Sequence, residues 1–333
     1  MWKRPALEST LENLVFSRVL GEYKPEDSLA IYLDVNHLKE IGIYDEVKAH
    51  EWTHLQLTTS TTLGHALQFL AASRLRRLDG YKDLYSALML GSWEAQEGAA
   101  TVTEWTVAEA TRLGPSIDQF CSSMPSSYQV AFDIFNTTLQ IMLAPDCYWM
   151  KSIAANALAQ FALNIDIMPR LIALVAQSST TTRDAAIGEF LNSEIGHPQK
   201  RIRRVMVECG SPYSTLRELR CGQIYERLEE TLRLLQSKFP EFFNGCEYLI
   251  ADAPLESRML VNDEINQTFL RYFVDITGLP VSVYHAKDAG MQFDALCEAF
   301  EIRTGIPFHR IDMSGDIARR ASFTPTVRTL FIP

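Results

Sequence analysis

The chain has 333 residues, 47% of them hydrophobic and 22% charged, with a formal net charge of −10. That balance suits a folded chain with a sizeable core, in one large domain or two. The acidic surplus argues against a nucleic-acid partner, which needs a basic footprint.

The N-terminus carries Lys3 and Arg4 but no apolar run behind them. It does not read as a signal peptide, and the expectation is a cytosolic protein. Residues 5–20 place Leu7, Leu11, Leu14, Val15 and Val19 at helical spacing, with Ser9 or Thr10 as a cap. GEYKPEDS, residues 21–28, reads as a turn, and the partly β-branched run 28–35 as a strand. A helix is expected to start near Tyr44, with Asp45 as N-cap, and to run through Leu57. Five hydroxyl residues at 58–62 and then Gly64 lower helix propensity, so a break or bend is expected there. An amphipathic helix follows over 65–78, closed by Asp79 and Gly80. A long one over 83–113 is stopped by Gly114 and Pro115.

Further helices are expected at 128–143, 148–164, 167–177, 182–191, 198–208 and 214–238. The last has the alternating charges of a surface helix. The most apolar region, 148–177, is interrupted by Lys151, Asp166, Pro169 and Arg170. It holds no unbroken apolar run of ~20 residues, so no membrane span is expected. The pattern changes near residue 240. The expectation is a helical body over 1–240 and an α+β subdomain over 241–333. That subdomain would hold helices at 262–276 and 292–305, a strand at 280–286 and a β-like run at 326–333. The fold class is therefore mainly α, α+β overall. The six cysteines are scattered, with no CxxC pair, and read as free thiols.

The chemistry concentrates at His50-Glu51-Trp52-Thr53-His54, which reads H-E-x-x-H. On a helix the two histidines lie one turn apart on one face, where two imidazoles can hold one zinc ion. A catalytic zinc needs a third protein ligand and an open position for water. A histidine six residues after His54 would make the longer H-E-x-x-H-x-x-G-x-x-H pattern. Ser60 stands there, and Leu57 stands in the glycine position. No cysteine precedes Cys121.

The motif resembles that of the zincins, zinc metallopeptidases. With those two ligand sets absent, it is similar to the gluzincins, whose third ligand is a glutamate on a later helix. The segment Glu97-Gly98-Ala99-Ala100 looks like the E-G-x-A stretch around that ligand. Its small residues imply a close approach to the motif helix. The resemblance implies zinc held by His50, His54 and Glu97. Glu51 would be the general base, taking a proton from a zinc-bound water as that water attacks a carbonyl. The run HLQLTTSTT after the motif also resembles uncharacterised bacterial HEXXH proteins. A zincin-like helical core with a strand bordering the cleft is implied too.

Several alternatives stay open. Glu94, Glu97, Thr101 and Glu104 form one helical stripe, so Glu94 competes with Glu97. Another glutamate, or Thr101, is a candidate to orient a ligating histidine. His65 falls ~16 Å along an unbroken helix from His54 and reads as a core or surface histidine. His37, His197, His285 and His309 are lone histidines. Tyr128, Tyr148, His197 and His285 are candidates to stabilise an oxyanion. Lys200, Arg201, Arg203 and Arg204 read as a solvated helix face. The expected function is a zinc-dependent metallopeptidase acting on a polypeptide, with no nucleic-acid or membrane partner. The alternatives are a non-catalytic regulatory protein of the same fold that binds a protein partner, and a zinc hydrolase of a small amide.

Overall fold

The computed structural model describes residues 21–24, 30–33, 35–75, 81–111, 117–142, 148–176, 181–209, 266–267, 269–282 and 286–306. The expected elements at 5–20, 214–238 and 326–333 lie outside these residues, as do Cys147, Cys221 and Cys246. Cys121, Cys209 and Cys297 are free thiols.

The described chain is mostly helical. Strands β1 (Gly21–Lys24) and β2 (Ala30–Leu33) pair antiparallel, with Gly21 opposite Leu33 and Lys24 opposite Ala30. GEYK therefore lies in a strand, where a turn was expected. Then come α1 (Val35–Glu40), α2 (Tyr44–Ser60), α3 (Thr62–Leu75) and α4 (Lys82–Thr111). They are followed by α5 (Ile117–Ser123), α6 (Ser126–Met142), α7 (Tyr148–Leu163) and α8 (Met168–Val175). The series ends with α9 (Thr181–Asn192), α10 (Pro198–Cys209), α11 (269–277) and α12 (Ala286–Thr304).

The 30-residue α4 is the central rod, with α2, α3, α6, α7, α9 and α10 packed on it. The hairpin touches α2 through both strands. One continuous core runs through the bundle, and Phe69, Phe132, Phe135 and Phe161 within it are fully buried. Each such ring removed from water contributes about 1.5–3 kcal/mol. Phe269 and Phe273 of α11 and Phe293 and Phe300 of α12 join that same core. The expected strand at 280–286 is not one over its described part. Residues 280–282 are irregular and 286 opens α12. The Ser282 N–H instead donates to the Asn164 carbonyl at 3.1 Å, an isolated anchor rather than a ladder.

Among the described residues one stretch, Lys151–Val175, is long and apolar enough to cross a membrane. With 72% of its apolar window buried, it is the inner wall of the bundle.

The corner after the motif helix fixes what α2 faces. α2 runs three residues past Leu57, and the break falls on Thr61, which is extended at φ −125° and ψ 151°. Thr61 Oγ1 accepts from the Gly64 N–H at 3.1 Å and so caps α3, as threonine does at a helix start. Thr62 is tied across the bundle: its N–H donates to Asn164 Oδ1 and its hydroxyl to the Ile165 carbonyl. A Cβ at Gly64 would lie 2.3 Å from the Thr58 carbonyl oxygen, so only glycine admits this tight turn. At its other end α2 begins after Ile43, which makes no side-chain cap. Asp45 lies within the first turn, where its charge favours the helix dipole, rather than at the N-cap.

Candidate metal centre

The helical period puts His50 and His54 on the face of α2 that meets α4. His50 meets Glu104, while His54 meets Gln96, so the two helices run antiparallel. Glu97 lies between these contacts. His50 Nε2 and His54 Nε2 are 3.2 Å apart. Glu97 Oε2 is 3.3 Å from the first and 3.5 Å from the second. All three residues are buried, and they form a group able to hold a metal ion, the expected trio.

The outer nitrogens decide what the inner ones can do. His50 Nδ1 is 2.8 Å from Glu104 Oε2. An ionised carboxylate only accepts, so Nδ1 carries the proton and donates it. His54 Nδ1 donates to Gln96 Oε1 in the same way, at 3.3 Å. Both Nε2 atoms then present lone pairs, and they present them to a carboxylate oxygen. Three acceptors at 3.2 to 3.5 Å repel unless a cation stands among them. A divalent ion bound tetrahedrally at about 2.0–2.1 Å sets its ligands about 3.3–3.4 Å apart, which is the size of this triangle. The donor set thus fits a small metal ion on geometry as well as on chemistry.

The electrostatics show the same demand. Burial opposes a charge on His50, but the Glu104 and Glu97 carboxylates outweigh it and raise its pKa well above the ordinary value. Burial also opposes a charge on Glu97, yet His54 and His50 hold its carboxyl well below the usual range. Both shifts favour positive charge among the three inner atoms.

Glu51 is buried on α2, between the two histidines in sequence. Tyr128 of α6 stands with its ring centroid 6.2 Å from that of His50, and 5.8 Å from the Trp93 ring. Among the described side chains considered for an oxyanion, Tyr128 has its ring beside a ligating histidine. His285 lies outside the described residues, as does the lone His309. His37 and Tyr148 belong to α1 and α7.

Other candidates take different places. Glu94 is not among the three clustered donors and lines a cavity with His197 and Gln199. Thr101 Oγ1 is buried without a hydrogen-bond partner among the described residues, so Glu104 orients His50 instead. Gln96, 2% exposed, is the orienting residue that the stripe omits. The sequence signal for it was a polar side chain adjacent to a ligand on a buried face. Gly98 does not serve close approach to α2. A Cβ there would lie 2.3 Å from the Phe135 ring, so it admits α6 beside Glu97. His65 is a core histidine. Its Nδ1 donates to the Thr61 carbonyl at 2.8 Å, burial lowers its pKa, and its ring meets Phe293 edge-on.

Arg201 departs from the expected solvated face. It is fully buried and donates to the carbonyls of Phe161, Ile195 and Pro280. Arg203 and Arg204 are exposed, and Arg204 pairs with Glu208 at 2.8 Å.

Comparison with known protein families, curated proteins and solved structures finds no match to this chain.

Proposed function

We propose that this chain is a zinc-dependent metallopeptidase of the gluzincin type, built on a zincin-like helical core. His50, His54 and Glu97 hold the zinc and Glu51 is the general base. The observation that carries this reading is the triangle of three lone-pair donors at 3.2 to 3.5 Å, with both outer histidine nitrogens engaged. Two imidazoles and one carboxylate, without a thiolate, are a donor set of hydrolytic zinc sites that keep a fourth position open.

Zinc supplies a Lewis acid for the scissile carbonyl and makes water acidic enough to attack at neutral pH. Glu51 takes the proton of the attacking water on its carboxylate and passes it to the leaving amine. Tyr128 is the donor proposed for the oxygen that gains charge. Glu104 and Gln96 keep the two imidazoles in the tautomer and orientation that the metal requires.

The test is metal analysis together with Glu51→Gln in a peptide-hydrolysis assay. The variant is expected to keep its zinc and to lose about 10²–10⁴-fold in rate. Wild-type protein without stoichiometric zinc, or a variant of undiminished activity, overturns the reading.

One observation favours a second reading, a zinc hydrolase of a small amide. His50, His54 and Glu97 are only 6, 8 and 3% exposed, which suits a compact substrate better than a folded polypeptide. Hydrolysis of N-acetyl amino-acid amides but not of peptides would select it. Stoichiometric zinc with neither activity would select the non-catalytic regulatory role.

A further inference from the structure

Thr101 lies on the stripe of α4 that builds the metal centre, one turn past Glu97 and one turn before Glu104. Those two glutamates meet the two nitrogens of one imidazole, Glu97 at His50 Nε2 and Glu104 at His50 Nδ1. The helical period therefore sets Thr101 alongside the His50 ring. It is 1% exposed, and its Oγ1 is buried with no hydrogen-bond partner among the described residues.

That state is an exception in this bundle. A threonine inside a helix has an acceptor at hand, the carbonyl four residues earlier. Thr53 of α2 donates to it, and so do Thr103 and Thr106 on α4 itself and Thr138 on α6. Thr101 makes no such bond to the Glu97 carbonyl, although residues 97–101 are helical throughout. A buried hydroxyl without a partner costs stability, so its retention points to water or a ligand that completes it. Thr101 is buried too deeply for a substrate side chain to reach, which leaves water.

A metal held by two histidines and one carboxylate keeps its fourth position for a water. With its oxygen on the metal, that water has two hydrogens to place. One goes to the Glu51 carboxylate. The other needs an acceptor, and the His50, His54 and Glu97 lone pairs are taken up by the metal. The Thr101 hydroxyl has free lone pairs and lies on the same stripe. With both hydrogens held, the remaining lone pair of the water is fixed in one direction, which is what an attacking group requires.

We infer that the Thr101 hydroxyl holds the attacking water by accepting the hydrogen that does not go to Glu51. The inference rests on the zinc reading of the His50–His54–Glu97 triangle. In the reaction the water oxygen bonds to the scissile carbon and the C–N bond breaks. Glu51 carries one proton to the leaving amine. The hydrogen on Thr101 stays with the oxygen that enters the carboxyl product, so Thr101 neither gains nor loses a proton.

The direct test is a crystal structure of the zinc-loaded full-length protein. A water on the zinc is expected within about 2.5–3.0 Å of Thr101 Oγ1. A zinc site whose water lies beyond ~3.5 Å from Oγ1 overturns this inference and leaves the zinc reading standing, whereas protein that takes up no zinc overturns both. The kinetic test pairs Thr101→Val, which keeps the shape and removes the hydroxyl, with Thr101→Ser, which keeps the hydroxyl. Thr101→Val is expected to retain stoichiometric zinc and an undiminished Tm. Its kcat for peptide hydrolysis should fall about tenfold or more with KM little changed, and Thr101→Ser should recover most of that rate. Three results contradict the assignment: full kcat in Thr101→Val, loss of zinc from it, or a Thr101→Ser no faster than Thr101→Val.

Discussion

Arg201 and the His50–His54–Glu97 triangle are two buried polar clusters of one helical bundle, and they are completed differently. The Arg201 guanidinium meets three backbone carbonyls, one each from Phe161, Ile195 and Pro280. Burial lowers its pKa to about 10, which still leaves it charged at neutral pH. Its donors find acceptors within the chain, so the cluster acts as a clasp. It ties α10 to the end of α7 and to the segment that leads into α12. The triangle is the reverse case. Its outer nitrogens are engaged by Glu104 and Gln96, but its three inner atoms are all acceptors. Among the described residues these atoms meet one another at 3.2 to 3.5 Å. Burial alone does not separate structure from function in this protein. What separates them is whether the buried group is answered from within.

That contrast can be broken by substitution. The largest effect is expected from Arg201→Met, which strands the buried Phe161 carbonyl and frees the part-buried carbonyls of Ile195 and Pro280. The buried one alone costs about 1–3 kcal/mol, and urea denaturation should show a loss of about 3 kcal/mol. The folded fraction should still take up zinc. A loss confined to stability sharpens the contrast, and a loss of zinc affinity in folded protein would blur it.

Next comes Glu104→Ala, which removes the carboxylate that fixes the His50 tautomer. Competition with a chelator should show zinc affinity reduced about 10–100-fold, the usual cost of losing such a partner. Gln96→Ala should cost less, about tenfold, because its bond to His54 is neutral and longer, 3.3 Å against 2.8 Å. Equal effects of the two would contradict the assigned order.

The pH dependence tests the proton's role. His50 binds its proton more tightly than a free histidine, so proton and metal compete for the same lone pair above pH 6.5 as well as below it. Apparent zinc affinity should therefore keep rising through neutral pH, by about tenfold per pH unit while one proton is displaced. A plateau from pH 6.5 upward would show that no raised histidine is involved.

The sequence carried the site further than it carried the rest. The helical period made His50 and His54 legible as one face, and the likeness of Glu97-Gly98-Ala99-Ala100 to the E-G-x-A stretch pointed to Glu97, which the structure groups with them. The stripe by itself did not separate Glu97 from Glu94, nor say that Glu104 would be the one to meet His50. Their roles follow from how far each helix slides along the other, which depends on packing. Gln96 was missed because it stands off the stripe and reaches back to His54 from the side. Arg201 was misread for a related reason. Within the run Lys200 to Arg204 it looks like its neighbours, and only the return of Pro280 and Phe161 to the same spot buries it. The bend after the motif was legible from its threonines. Its detail was not, since Thr61 breaks the helix and Gly64 admits the turn. The strand expected at 280–286 came from local β-branched residues, but among the described residues no neighbouring strand is present there to pair with it.

The most direct measurement is zinc K-edge X-ray absorption on the purified full-length protein, with metal content determined on the same sample. The account predicts one zinc per chain, two imidazole nitrogens and oxygen ligands at about 2.0–2.2 Å, and no sulfur. Protein that retains no zinc, or a sulfur shell near ~2.3 Å, would contradict it.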